Sequence, residues 1–316
     1  MRQRVILTAG IALLLLEMAS SSAATRYAGE ILYLGVGARS LGMGSAFVAL
    51  SDDATAGYWN ASGLSHLKRR EAAVMHAERF GGMVNYDFIG LAWPLQRFGG
   101  VGVSLIRVGV DDIKFTELEN PQEELSPFNR PVVSEVVSNA DYVLYLSAGR
   151  PVRDQLSVGG SLKLIRRKIG RNTAFGYGID LGARYAPFHR VTFGLNLRDL
   201  ISTPIMWDTG TTDRVRPSVS MGAAYTYDLP KLRSRWIGAV TSTLGGTASS
   251  ADQSGALDLG VEYWYQDQVA LRAGAEESRL TLGAGLRPSD RIEVDLAYLR
   301  HEELDSTYRI SASFRF

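Results

Sequence analysis

The alternation of this chain limits its fold more than anything else in the sequence. From Glu71 to Phe316 one short apolar-then-polar run follows another, the period of strands with one greasy and one wet face. The runs fall near 72–80, 83–95, 98–109, 139–151, 155–168, 174–186, 190–200, 215–227, 234–245, 254–265, 268–276, 279–287, 291–301 and 305–316, which makes fourteen. A sheet of that length either closes or exposes edges that aggregate. Its connections sort by parity. Pro94–Arg97, Pro151–Asp154, Pro187–Arg190, Asp228–Lys231, Gln266–Gln268 and Pro288–Arg291 are short and built from turn residues, whereas the others vary freely, from Gly81-Gly82 to the stretch Val110–Ser138. Tight turns at one end and variable loops at the other are the pattern of an outer-membrane barrel, with the turns in the periplasm. A soluble sandwich has no reason to sort its loops this way. The expected fold is all-β, a closed antiparallel transmembrane β-barrel of fourteen strands over 71–316.

Facing follows from the alternation. Tyr308, Ile310, Ala312, Phe314 and Phe316 point one way and Arg309, Ser311, Ser313 and Arg315 the other; Leu257, Leu259 and Val261 stand opposite Asp258, Gly260 and Glu262. The apolar set is the lipid face. A charge on that face at mid-depth costs roughly 2–4 kcal/mol, so Asp180, Arg184, Glu262, Arg272, Asp295 and Arg309 are expected in the lumen. There they would pair across it or with the N-terminal segment. The aromatic or apolar residues at every second position from Tyr308 through Phe314 to Phe316 read as the signal by which barrel-assembly machinery recognises such chains.

The residues before the first strand divide in two. Met1 to Ala24 carries Arg2 and Arg4, an apolar run from Val5 to Leu16 and small residues up to Ala24, and reads as a secretory signal peptide. Residues 25–70 include the one long stretch that does not alternate, GVGARSLGMGSAFVALSDDATAGYWNASGL, Gly35 to Leu64. Lying ahead of a closing barrel, it is expected to fill the lumen as a plug. A short helix at Ser45–Leu50, entered from Gly42 and Gly44, and a polar turn at Asp52-Asp53 are expected within it. An adjacent acidic pair can ligate a cation, but it more often caps or turns, and no metal is assigned. The glycines also suggest a dinucleotide loop, yet the third glycine is missing and no strand precedes them, so no cofactor is assigned.

Composition excludes further classes. With 34 Lys+Arg against 33 Asp+Glu there is no nucleic-acid footprint, and the absence of cysteine removes disulfides and thiolate metal sites. The histidines, His66, His76, His189 and His301, have no accompanying serine motif, so no catalytic residue is assigned and the chain is read as a non-enzyme. Trp59 and Asn60 suit a gate; the plainer reading has Trp59 packing the plug against the wall and Asn60 capping a turn. The stretch Val110–Ser138, acidic and broken by prolines, is the natural element to contact a partner.

Two stretches carry a family resemblance. The run LGMGSAFVAL, then SDDATAGYWN, then Gly63-Leu64, resembles the N-terminal signature of the PorV/PorQ family, which is related to the FadL-type outer-membrane transporters. The closing part, from LDLGVEYWYQDQ to STYRISASFRF, is similar to that family's final hairpins. The family signature usually ends Asn-Pro-Ala-Gly-Leu; here Asn60, Gly63 and Leu64 match and the proline is absent. The resemblance implies a plugged fourteen-stranded barrel with a non-enzymatic role in the outer membrane of a Gram-negative bacterium. Its partners would be outer-membrane lipid and secreted cargo proteins or a secretion channel of type IX kind. Passage of hydrophobic small molecules, as in FadL-like relatives, is the alternative.

Overall fold

A computed structural model describes residues 29–246, 256–300 and 306–316. The stretch Met1 to Ala24, read above as a signal peptide, and His301 lie outside the described residues. The described strands run in chain order as β1 (Glu71–Arg79), β2 (Val84–Pro94), β3 (Gly100–Leu118), β4 (Pro131–Arg153), β5 (Leu156–Ile169), β6 (Asn172–Phe188), β7 (Val191–Arg198) and β8 (Thr203–Trp207). They continue as β9 (Thr212–Val215), β10 (Ser218–Leu229), β11 (Ser234–Gly245), β12 (Ala256–Tyr265), β13 (Val269–Glu276), β14 (Arg279–Ser289), β15 (Ile292–Leu299) and β16 (Thr307–Arg315). Of these sixteen, β8 and β9 form a side hairpin laid on β6. The other fourteen pair antiparallel in a ring, closed between β1 and β16 with Glu71 opposite Arg315 and Glu78 opposite Tyr308. Closure leaves the wall no edge, which a sheet in lipid requires.

The pleat does the sorting that the alternation implies. Outward Leu257, Leu259, Val261, Leu271 and Ile310 are exposed, while their inward neighbours Asp258, Glu262, Arg272 and Arg309 are buried. An even-stranded, single-chain barrel with an apolar exterior is the architecture of an outer-membrane barrel. Among the described residues no helix is long and apolar enough to cross a membrane; the crossing is made by strands.

Two stretches depart from expectation. Most of Val110–Ser138 is strand: β3 and β4 continue their ladder to Leu118 and Pro131, past bulges near Val110 and Phe115, so only 119–130 is loop. Asp111 and Asp112 look like loop residues in sequence, but a bulge with Asp112 at φ +58° absorbs them without ending the strands. The β8–β9 hairpin lies where only a variable connection was expected. Its inward residues Ile205 and Val215 are fully buried, and two strands this short give little period to read.

The N-terminal segment lies inside the barrel. The expected helix at Ser45–Leu50 is instead a series of turns, with Ser45 at φ +62°. Its helices are α1 (Ala38–Gly42) and α2 (Ala56–Trp59), with a 3-10 helix at Ala61–His66. Helix α1 ends at the glycines rather than starting from them, because Gly44 takes φ +60° and turns the chain. Val36, Ala38, Leu41, Met43, Phe47 and Leu64 are fully buried.

Candidate functional site

The segment is held differently by the two sides of the wall. Against β4–β7 it is held by close approach: a Cβ on Gly149 or Gly159 would strike the Ala61 backbone, and one on Gly194 would strike that of Val48. These inward glycines form a notch that admits the main chain of the 3-10 helix and of the turn at Val48. Hydrogen bonds seal it. Asn60 donates to the carbonyls of Val48 (2.9 Å) and Ala183 (3.0 Å) and accepts from the Ser62 amide (3.2 Å), while Asn196 donates to the Trp59 carbonyl at 2.8 Å. Asn60 is thus a cap and a tie at once.

Against β12–β14 the close approach recurs, since a Cβ on Gly260 or Gly274 would strike the Met43 backbone, and an ionic attachment centred on Arg39 of α1 is added to it. Arg39 Nε and Nη2 each donate to Glu262 at 3.0 Å, and Nη1 donates to Asp52 at 2.6 Å with Asp53 at 3.7 Å. Glu262 also accepts from Arg272 Nε at 2.6 Å, and Arg272 Nη1 donates to Asp295 at 2.7 Å. Glu293 gathers Arg287 (2.6 Å) and Arg315 (2.9 Å), and Arg315 reaches Glu71 at 3.1 Å. A bidentate guanidinium–carboxylate contact out of water is the strong form of such a bond. Burial works against the Arg39 charge, but Asp52 and Glu262 hold it well above its ordinary value; burial raises the Asp53 carboxyl against the pull of Arg39.

The remaining residues picked out in the sequence separate. Glu262, Arg272 and Asp295 belong to this network. Asp180 pairs within the wall, sharing Lys163 Nζ (2.8 Å) with Asp199 (2.6 Å). Arg184 donates to the Ala49 carbonyl and to the Thr192 hydroxyl, each at 3.5 Å. Arg309 Nη1 donates to the Leu34 and Gly35 carbonyls at 2.9 and 3.1 Å. Trp59 packs edge-on against Tyr58 and Phe47 and donates to the Val36 carbonyl, knitting the segment to itself, and it also meets the wall, with Arg198 of β7 over its ring at 5.8 Å. Asp53 accepts from the Thr55 amide as a turn residue does. Gly42 abuts Gly283 and Gly44 abuts Ala275, and Gly63 has no room for a Cβ beside the Ser51 carbonyl. Tyr308, Phe314 and Phe316 all face outward. Among the histidines, His66 contacts Ser157 and His76 contacts Asp87 at the outer rim.

Three functional residues escaped the sequence reading: Arg39, Lys163 and Arg198. Arg39 had a signal, as the one charge between Val36 and Leu50. The other two look like ordinary strand cations.

Above the segment, toward the long-loop end, lies a cavity of about 250 Å³. Tyr33, Leu34, Val48, Tyr58 and Trp59 form its floor, and Ser220, Thr241, Leu299 and the arginines 79, 198 and 309 its walls. Arg198 lies over the Tyr58 ring at 4.6 Å and, like Arg309, turns its donors to backbone carbonyls, here those of Leu32 and Tyr58. A second hollow, of about 630 Å³, meets outward Leu282, Leu296 and Ile310, and Arg309 borders both spaces.

The geometry defines a membrane barrel whose lumen is occupied by its own N-terminal segment, with a cavity on that segment's outer side. No family model and no curated protein matches the chain. Solved structures do. The toluene transporter TbuX of Ralstonia pickettii aligns over 89% of this chain and 98% of its own, with TM-score 0.58 and 14% identity. The toluene transporter TodX of Pseudomonas putida aligns over 89% and 99%, with TM-score 0.58 and 13% identity. A Pseudomonas aeruginosa FadL homologue aligns over 89% and 98%, with TM-score 0.54 and 13% identity. At such identities the likeness is one of fold.

Proposed function

We propose that this outer-membrane barrel is a conduit for hydrophobic small molecules, with residues 29–66 as its plug and no catalytic step. The observation that carries the reading is the cavity on the plug. A cavity of 150 Å³ accommodates benzene, so one of about 250 Å³ has room for a single-ring aromatic or a comparable apolar body. Its floor of Tyr33, Leu34, Val48, Tyr58 and Trp59 presents apolar and aromatic surface beneath polar walls that carry Asp258, Glu276 and Glu277 beside the arginines. The likeness of fold to the toluene transporters supports the same direction. The test is Thr241→Phe, which puts a ring into the cavity from β11 without touching the plug's ties. Uptake of labelled toluene into proteoliposomes should fall to near the protein-free level while heat-modifiable migration is kept. Unchanged uptake by the folded variant would refute the conduit.

A second reading, as a type IX cargo or channel partner of PorV/PorQ kind, is favoured by one feature. The β3–β4 hairpin outruns the other strands and exposes Phe115, Leu125 and Phe128 near its tip. Deleting 119–130 should then abolish co-purification with secreted proteins and leave toluene uptake intact.

A further inference from the structure

The outward face of β5 changes character along its length. Leu156, Val158, Gly160, Leu162 and Leu164 are followed on the same face by Arg166 and Lys168, both exposed. From Leu156, beside a tight turn, to Arg166 is ten residue steps, which at about 3.3 Å each and a tilt near 40° is roughly 25 Å along the barrel axis. That equals the height of the apolar band of such barrels, about 25 Å. Arg166 therefore stands where the hydrocarbon of the outer leaflet gives way to headgroups.

The nearby acids are turned elsewhere. Asp141 lies on the other face of β4 and pairs with Arg167 at 2.9 Å. Glu135 holds Arg171 at 2.7 Å, and Asp87 and Asp111 share Arg107 at 3.4 and 3.3 Å. Among the described residues no carboxylate pairs with Arg166 or Lys168. Beside them in the ladders stand Tyr142 on β4 and Phe175 on β6, both outward and exposed. The surface thus offers two uncompensated cations above an aromatic and aliphatic strip, a match for an anionic headgroup whose acyl chains run down the wall.

We propose that Arg166 and Lys168 bind the phosphate headgroups of a phosphorylated outer-leaflet lipid, with its chains along Leu162, Leu164 and Phe175. The site is a lipid seat rather than a free-phosphate site, because its lower half is apolar and immersed. It does not depend on what the lumen carries.

The test uses the full chain in phosphatidylcholine vesicles doped with phosphorylated lipid A or with its dephosphorylated form, and measures lipid retained per barrel after extraction. The native protein should retain the phosphorylated form in preference. Arg166→Gln with Lys168→Gln should weaken that retention about 30-fold, the equivalent of about 2 kcal/mol for two interfacial cations. The control Arg130→Gln with Arg214→Gln removes two exposed cations elsewhere and should leave it unchanged, with heat-modifiable migration showing every variant folded. Equal retention of the dephosphorylated lipid, an unchanged β5 variant, an equal loss in the control, or displacement by inorganic phosphate would each overturn the proposal.

Discussion

Replacing Arg39 by Met should loosen the lumen segment without unfolding the barrel. The guanidinium is 13% exposed and makes three charge-assisted hydrogen bonds, two to Glu262 and one to Asp52. Breaking a buried pair costs about 3–5 kcal/mol when it strands the partner charge. Here the stranding is partial, since Glu262 keeps Arg272 at 2.6 Å and Asp52 is 49% exposed. A loss of about 2 kcal/mol is therefore expected, equivalent to about a 30-fold rise in the population with α1 undocked. The chain has no cysteine, so a thiol at Ala46, which is 1% exposed, reports that population directly. If opening is fast relative to labelling, the rate of alkylation follows the open fraction. Arg39→Met in the Ala46→Cys background should be alkylated about 30-fold faster than Ala46→Cys alone, whereas Asp52→Asn, which removes a half-exposed partner, should change the rate only a few-fold. An unchanged rate in Arg39→Met would refute the assignment of Arg39 as the fastening. A loss of heat-modifiable migration would mean instead that the network holds the wall.

Three other perturbations follow from named contacts. Lys163→Met leaves Asp180 and Asp199 facing each other without their shared ammonium, so the temperature at which the barrel loses its compact migration should fall, by an amount corresponding to about 3–5 kcal/mol; an unchanged transition would show that the triad bears no stress. Gly63→Ala forces a Cβ onto the Ser51 carbonyl and should cost about 1–3 kcal/mol of segment docking, read as faster alkylation at the Ala46 thiol. Deleting Arg315 and Phe316 removes the bonds from Arg315 to Glu71 and Glu293 and from the Phe316 amide to the Arg70 carbonyl, and should cut insertion into outer-membrane vesicles sharply; normal insertion would place the recognition signal elsewhere.

The wall was legible because its signal is redundant. Each of the fourteen strands repeats one period, and an error in any one is corrected by the parity of the connections on either side. The ends of β3 and β4 were misread for a local reason, since a bulge carrying Asp111 and Asp112 looks like a loop until its partner strand is seen. The inward set Glu262, Arg272, Asp295 and Arg309 could be named because a charge has only one tolerable side of such a sheet. Their partners could not be named, because contact between residues 39 and 262 depends on where a non-repeating segment comes to rest, and no period records that.

The same distinction explains why a helix was expected at Ser45–Leu50 where the chain makes turns. In a strand the next residue's direction is fixed by the pleat, but in a segment with Gly35, Gly37 and Gly44 all at positive φ each glycine opens a conformational choice that the chain alone does not make. The barrel makes it. Its inward glycines at 149, 159 and 194 admit main chain on one side and those at 260 and 274 on the other, where the acid at 262 also draws Arg39 of α1. The shape of the N-terminal segment is thus written largely in the residues of the wall, and the attachment most open to change by solvent or ligand is the ionic one, where a charged group offers an alternative partner that a glycine notch does not.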